Sequence, residues 1–311
     1  MSDPATPRHP VRVAAQRSGV NPHVLRAWER RHGVVAPGRS EGGQRLYSDL
    51  DVERLRLLNQ LTSRGHSIGR LAKLPLDELS QITREEEPSG RSREAEPTMD
   101  VRATEFRSAA FRAAQCLAAG ELHAVLERAA FSLGVPAFLD QVAAPSIREI
   151  GDGWQDGTIS VGQEHLATAV FRRVLGWIIE TFEINEAAAR VVVATPPRQM
   201  HELGALMAAA AAATEGWEVI YLGADLPVSD ILGGVRQVGA KALALSIVQP
   251  TNSSDLIEDL EQIREGLGPE VHLFLGGAAV TQQPERFNGI GRVMDSLGEF
   301  RTALQQLQDQ R

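Results

Sequence analysis

Only one cysteine, Cys116, occurs in the 311 residues. That excludes a disulfide framework and any zinc site built from cysteines. Lysine is nearly missing: Lys73 and Lys241 are the only two, and arginine supplies the remaining positive charge. Aromatic residues make up 5% of the chain. No uninterrupted apolar run approaches the roughly 18 residues of a membrane span, and the opening MSDPATPRHP lacks the apolar core of a signal peptide. A cytoplasmic protein with no membrane partner is therefore expected. The first strand of the C-terminal region is followed by no GxGxxG turn, and there is no P-loop, so neither phosphate-cradling fingerprint is present.

What is present is ordinary in bulk and uneven in detail. A hydrophobic fraction of 43% and a charged fraction of 23% suit a globular protein, and the length allows two or three domains. The net charge of −8 hides an asymmetry. Residues 1–84 hold 14 Lys and Arg against 8 Asp and Glu, a balance of +6, which leaves −14 for the remainder. A basic head on an acidic body points to a polyanion as partner.

The head reads as two short helices and a wing. VRVAAQRS (Val11 to Ser18) has apolar positions at helical spacing, and Gly19-Val20 makes a turn. Asn21 is a good N-cap and Pro22 suits the first helical position, so a second helix runs from there to Gly33. Two helices about a glycine turn form a helix-turn-helix, whose second helix enters the major groove. That helix carries Arg26, Arg30 and Arg31, with His23 near its start, as candidates for bases and phosphates. Leu25 and Trp28, three apart, are expected in the core. In PGRSEGGQRLYS (37–48) a glycine-rich centre suggests a two-stranded wing, with Arg39, Gln44, Arg45 and Tyr47 as phosphate and minor-groove contacts. Asp49 is expected to cap the leucine-rich helix that follows.

HVLRAWERRHG followed by GGQRLYSDLDVERL resembles the winged helix-turn-helix head of MerR-type transcription regulators, over about residues 11–80. The resemblance implies dimeric binding to a palindromic promoter site. We draw this head at residues 1–83. Many members continue into a long dimerisation helix, but residues 84–100 (REEEPSGRSREAEPTMD) are charged and rich in Pro, Ser and Gly, the composition of a flexible linker. Self-association is therefore expected to come from beyond the linker.

Residues 101–187 show four helical segments, Val101 to Ala119, Glu121 to Leu133, Pro136 to Asp152 and Val161 to Phe182, expected as a four-helix bundle. The informative piece is GDGWQDGTISVGQEHLATA, with Trp154 and Gln155 at a helix end and Glu164 and His165 side by side at a helix start. Adjacent helix positions diverge by about 100°, so Glu164 and His165 should face apart rather than grip one metal.

From residue 188 to 311, strands and helices alternate. RVVVAT (190–195), WEVIYLG (217–223), KALALSIV (241–248), VHLFLGG (271–277) and a weak RVMD (292–295) are expected as five parallel strands of a doubly wound, Rossmann-like α/β domain. In such folds ligands bind at the carboxyl ends of strands. There the loop TPPRQMHELG presents His201, and Gly204 lets backbone approach a ligand closely. His201 could ligate a metal, act as acid or base, or bond locally. Gly223, Ser246, Gly276 and Gly277 fall on the same edge, so a large ligand could lie across it.

MHELG, LGADLP, SIVQP and FLGGAA, in that order, resemble the cobalamin-binding Rossmann domain of methionine synthase and the cobalamin mutases. The Trp, nine residues, then Glu-His pattern is similar to the helical cap of CarH-type and LitR-type proteins, which are MerR-headed, adenosylcobalamin-dependent photoreceptor repressors. The resemblance spans nearly the whole chain. It implies that His201 is the lower axial ligand to cobalt, that Ser246, Gly276 and Gly277 accommodate the displaced nucleotide tail, and that Trp154, Glu164 and His165 cap the upper face. It also implies a homo-oligomer, dimer or tetramer, held by the cofactor and loosened by light. Two positions depart from the pattern. Gln199 stands where the motif has an acid, and can orient the histidine ring only more weakly. Gln155 stands where the light-sensing subgroup has a histidine for cobalt, and glutamine is a poor cobalt ligand; His123 or His165 could substitute. Two alternatives remain: a MerR-type regulator whose sensory half takes another tetrapyrrole or a protein partner, or one that senses cobalamin without light. An enzyme is not expected, because the basic head occupies the length a substrate domain would need.

Overall fold

The computed structural model describes residues 6–20, 22–39, 44–63, 66–85, 99–182, 188–249 and 254–309. They fall into two compact units, residues 1–106 with 124–134, and residues 107–123 with 135–311.

In the first unit, strand β1 (His9–Pro10) leads into α1 (Val11–Ser18), which Gly19 ends at φ 70°. Helix α2 (Pro22–His32) follows, and Gly33 at φ 59° stops it. The expected N-cap Asn21 lies outside the described residues. The wing consists of β2 (Gly38–Arg39) and β3 (Arg45–Tyr47), antiparallel, but β1 pairs with the other edge of β3 and makes the sheet three-stranded. A two-residue strand containing proline has no readable periodicity, so its pairing is invisible in the sequence. Helix α3 (Asp49–Ser63) is capped by Ser48 rather than Asp49: the Ser48 hydroxyl accepts the Asp51 N–H at 3.1 Å, while the Asp51 carboxylate accepts the Ser48 N–H at 2.8 Å. Helices α4 (Ile68–Leu71) and α5 (Leu76–Glu85) complete the head. Its core holds Leu25, Trp28, Tyr47, Leu55, Leu58 and Leu61, as the leucine spacing requires. The expected linker lies mostly outside the described residues.

The helical middle has α6 (Met99–Gln115), α7 (Ala119–Leu133), α8 (Val135–Phe138), a π-helical turn (Leu139–Ala143), α9 (Ala144–Asp156) and α10 (Val161–Thr181). All four expected helical segments are there, and α6 and α7 each contribute to both units. The third continues four residues further than expected, so Trp154 lies within it. Its π turn has a local cause. Pro145 has no N–H to return to residue 141, and the ladder widens there.

The second unit contains the five-stranded parallel sheet, in spatial order β5 (Glu218–Gly223), β4 (Arg190–Ala194), β6 (Ala242–Ser246), β7 (His272–Gly276), β8 (Arg292–Val293). Helices α11 (Leu203–Thr214), α12 (Val228–Val238), α13 (Ser254–Gly266), α14 (Ala278–Gln282) and α15 (Leu297–Asp309) connect and follow them, with a 3-10 turn at Pro284–Phe287. Val191 to Ala194 are wholly buried, as a central parallel strand demands. Helix α11 presents buried alanines at 205 and 209–213, whose small side chains let it pack closely between the sheet and α10. The strand order turns between β4 and β6, so their carboxyl ends form the crevice where this fold binds ligands.

Candidate functional site

The loop from Thr195 to Glu202 joins β4 to α11 at that crevice. His201 stands exposed just before the helix. Gln199, two residues earlier, is 1% exposed and its carboxamide is committed elsewhere. Its Oε1 accepts the N–H groups of Val248 and Gln249, both at 3.0 Å, and its Nε2 donates to the Gln249 carbonyl at 3.1 Å. The expected ring-orienting role is therefore corrected: Gln199 ties this loop to the end of β6. A carboxamide can do this because it both donates and accepts; a carboxylate only accepts.

Gly204, Ser246, Gly276 and Gly277 all line a cavity of about 700 Å³ at the carboxyl edge of the sheet. Close approach explains Gly204 and Gly277. A Cβ on Gly204 would fall nearer to Ser246 Oγ than 3.0 Å, and one on Gly277, at φ 105°, would meet the Ile247 backbone. Ser246 Oγ is buried with no partner among the described residues, a polar atom in want of a ligand. Ala144, Ile147 and Arg148 of α9 and Asp140 of the π turn form another wall. Sequence reasoning missed this wall; Pro145 inside a helical pattern was the available signal. His201, Trp154, Glu164 and His165 do not line the cavity.

Trp154 is 48% exposed on α9. The start of α10 is fixed by a capping box between Ser160 and Gln163, and Gln163 Nε2 also donates to the Gln115 carbonyl at 2.5 Å. Glu164 and His165, expected to face apart, meet instead: His165 Nδ1 lies 2.6 Å from Glu164 Oε2, and the Thr168 hydroxyl donates to Glu164 Oε1 at 2.6 Å. The imidazole itself stays 75% exposed. Glu164, Thr168 and Arg172 are spaced four apart on one helix face. Arg172 pairs with Glu202, the neighbour of His201, and Glu202 accepts the Tyr221 hydroxyl at 2.5 Å. Glu164 thus stands about 12 Å along α10 from Arg172, the residue that pairs with the His201 loop. Burial, then Glu202, push the Tyr221 phenol pKa up. No group of three metal-ligating side chains occurs among the described residues, so a metal here would need most of its ligands from elsewhere.

In the head, Arg30, Arg31, Arg39 and Gln44 are exposed and Arg26 is half-buried. The side chain of His23 lies outside the described residues. Tyr47 is corrected from a surface contact to a core residue. It is fully buried, and its hydroxyl donates to Glu29 Oε2 at 3.1 Å, beside Arg45 Nε on Oε1 at 3.0 Å. Burial, then the Glu29 charge, push its phenol pKa up. Arg54, not singled out from the sequence, braces the head by donating to the carbonyls of Val34 and Ala72 at 2.6 and 2.8 Å. Arg8, His9 and Arg17 gather on Asp49, at separations no motif announces.

A DNA-binding head fused to a sheet of corrinoid-binding design is the class these features define, and comparison with known families agrees. Residues 10–76 match the model described as MerR HTH family regulatory protein; residues 110–179 and 189–308 match two models described as B12 binding domain. The chain is 31% identical over 269 residues to the HTH-type transcriptional repressor CarH of Myxococcus xanthus, covering 86% of this chain and 88% of that protein. It is 29% identical over 294 residues to the repressor CarA of the same organism, covering 90% and 95%. The chain belongs to the CarH-type family, which joins a MerR head to B12-binding domains. Its fold also matches the monomethylamine corrinoid protein of Methanosarcina barkeri, at a TM-score of 0.53 and 15% identity, over 66% of this chain and 99% of that one.

Proposed function

We propose that this protein is a cytoplasmic transcription repressor whose operator binding is set by adenosylcobalamin held in its C-terminal half, with light as the signal. One observation carries the cofactor: Ser246 Oγ, without a partner among the described residues, in a cavity lined also by Gly204, Gly276 and Gly277. A long, narrow ligand segment with a polar group answers both features. Gly204, Ser246, Gly276 and Gly277 would take the nucleotide tail. His201, exposed just before α11, would be the protein's ligand to the cobalt. Trp154, Glu164 and His165 would cover the opposite face. When bound, the cofactor supplies the corrin nitrogens around cobalt and a light-cleavable cobalt–carbon bond.

The regulatory link is avidity. We assign residues 1–83 to the DNA-binding domain, 84–100 to a linker, 101–187 to a helical cap and 188–311 to the cofactor domain. A homo-oligomer assembled through the latter two would engage several half-sites at once, so its loss lowers operator affinity without altering any base contact. In this reading the chain binds and signals and is not an enzyme.

The test is a spectrum. The purified chain is mixed with adenosylcobalamin in the dark, desalted, and measured before and after green light, together with its size. A retained cobalt chromophore, changed spectrum and changed size are expected; no retained chromophore overturns the cofactor. His201→Ala should move the bound spectrum to a form lacking the histidine bond.

A second reading is favoured by Gln155, exposed on α9 where light-sensing relatives place a ligand histidine. In it the chain senses cobalamin, another tetrapyrrole or a protein partner without light. Retention with no light-induced change in spectrum or size would select it.

A further inference from the structure

Two residues other than glycine hold left-handed backbone beside the His201 loop: Arg198 at φ 66° and Asp225 at φ 56°. That conformation is costly for a residue with a side chain and persists only where its surroundings over-determine it. Here the two determine each other. Asp225 Oδ1 accepts the Arg198 N–H at 2.6 Å. The Asp225 N–H donates to Thr195 Oγ at 2.8 Å and to the Gln199 carbonyl at 3.2 Å. The Thr195 hydroxyl donates to that same carbonyl, and the Arg198 guanidinium reaches Asp259 Oδ2 on α13 at 2.5 Å. The turn after β4 is thereby closed onto the turn after β5. Met200 and His201, next in the chain, project exposed from it. None of these bonds involves the side chain of His201.

We propose that Asp225 is the positioning residue for His201, setting the loop in its binding shape before a ligand arrives. The proposal rests on reading His201 as the protein's ligand to a corrin cobalt. A loop already ordered spares the binding step its ordering entropy, and a loop only fractionally ordered lowers apparent affinity by that fraction. Aspartate suits the task because its short side chain bonds nearby backbone while tolerating left-handed φ. Asparagine keeps both properties, glycine keeps only the backbone freedom, and alanine keeps neither.

Three full-length variants, Asp225→Asn, Asp225→Gly and Asp225→Ala, separate strain from the bond. The first measurement is amide hydrogen exchange of the cofactor-free protein over residues 196–203. Exchange should rise about tenfold or more in the Gly and Ala variants and stay near wild type in Asn, the size of effect expected for losing a charge-assisted bond. The second is retention of adenosylcobalamin in the dark with the spectrum of the retained fraction. The Gly and Ala variants should retain it about tenfold more weakly, with a spectrum shifted toward the form lacking histidine. Unchanged exchange in Asp225→Gly overturns the proposal. So does raised exchange with wild-type retention and spectrum, which would make Asp225 a fold residue only. If the wild-type chain retains no cobalamin, the functional reading fails by itself, and the role assigned to Asp225 is overturned with it, whatever the exchange arm shows of the loop.

Discussion

Gly204 and Ser246 face each other across the strand ends so closely that no side chain larger than hydrogen fits at 204 without moving the serine. Gly204→Ala gains about 1 kcal/mol of helix propensity at the start of α11 and loses about 1–3 kcal/mol to overpacking. The net expected in denaturant unfolding lies between no change and about 2 kcal/mol of destabilisation. Adding Ser246→Ala removes the opposing oxygen, so the double variant should recover with a coupling of about 1–2 kcal/mol. Strict additivity of the two changes would count against the close approach.

Gln199→Glu restores an acid near the motif's usual place and should destabilise the chain. The carboxylate keeps the two backbone donors of Val248 and Gln249 but sets a second oxygen against the Gln249 carbonyl, where an N–H now donates. A cost of about 2 kcal/mol is expected from one lost bond and one buried mismatch. A melting temperature equal to wild type would show that the donor half of the carboxamide is dispensable.

The two tyrosines, one in each unit, make an alkaline probe. Both phenols have raised pKa values, from burial first and then Glu29 or Glu202. A folded pKa above the unfolded value of about 10 means the stabilisation is whole below pH 10 and is lost as pH rises beyond it. Phenolate absorbance should therefore appear late and together with unfolding. Tyr47→Phe should leave only the Tyr221 signal, and a phenolate titrating near pH 10 in the folded wild type would contradict the burial of Tyr47 or the half-burial of Tyr221.

Arg31 and Arg54 should separate contact from support in the head. Arg31→Ala is expected to weaken operator binding and reduce the salt slope by about one ion. Arg54→Ala leaves two carbonyls without donors, so it should lower head stability by about 1.5–3 kcal/mol, seen by thermal unfolding. A reduced salt slope in Arg54→Ala with unchanged stability would reverse the two assignments.

Much of this protein is legible in its sequence. Helical spacing and the Gly19 and Gly33 stops placed the helix-turn-helix, because capping and glycine chemistry are local. Apolar runs alternating with helical segments placed all five strands, because a buried parallel strand must be apolar along its length. Ordered short motifs placed the DNA head and the B12-binding sheet, because each needs fixed residue types at fixed intervals. Tertiary structure alone decided partners. It moved Tyr47 from the DNA surface into the core on Glu29, turned Gln199 from ring-orienting group to loop clamp, and brought Asp225 onto Arg198. The cause is the same each time. A polar side chain bonds whatever the fold brings within about 3 Å, and for residues 18, 27 or 50 positions apart that neighbour is set by sheet order and loop closure, which no local pattern encodes.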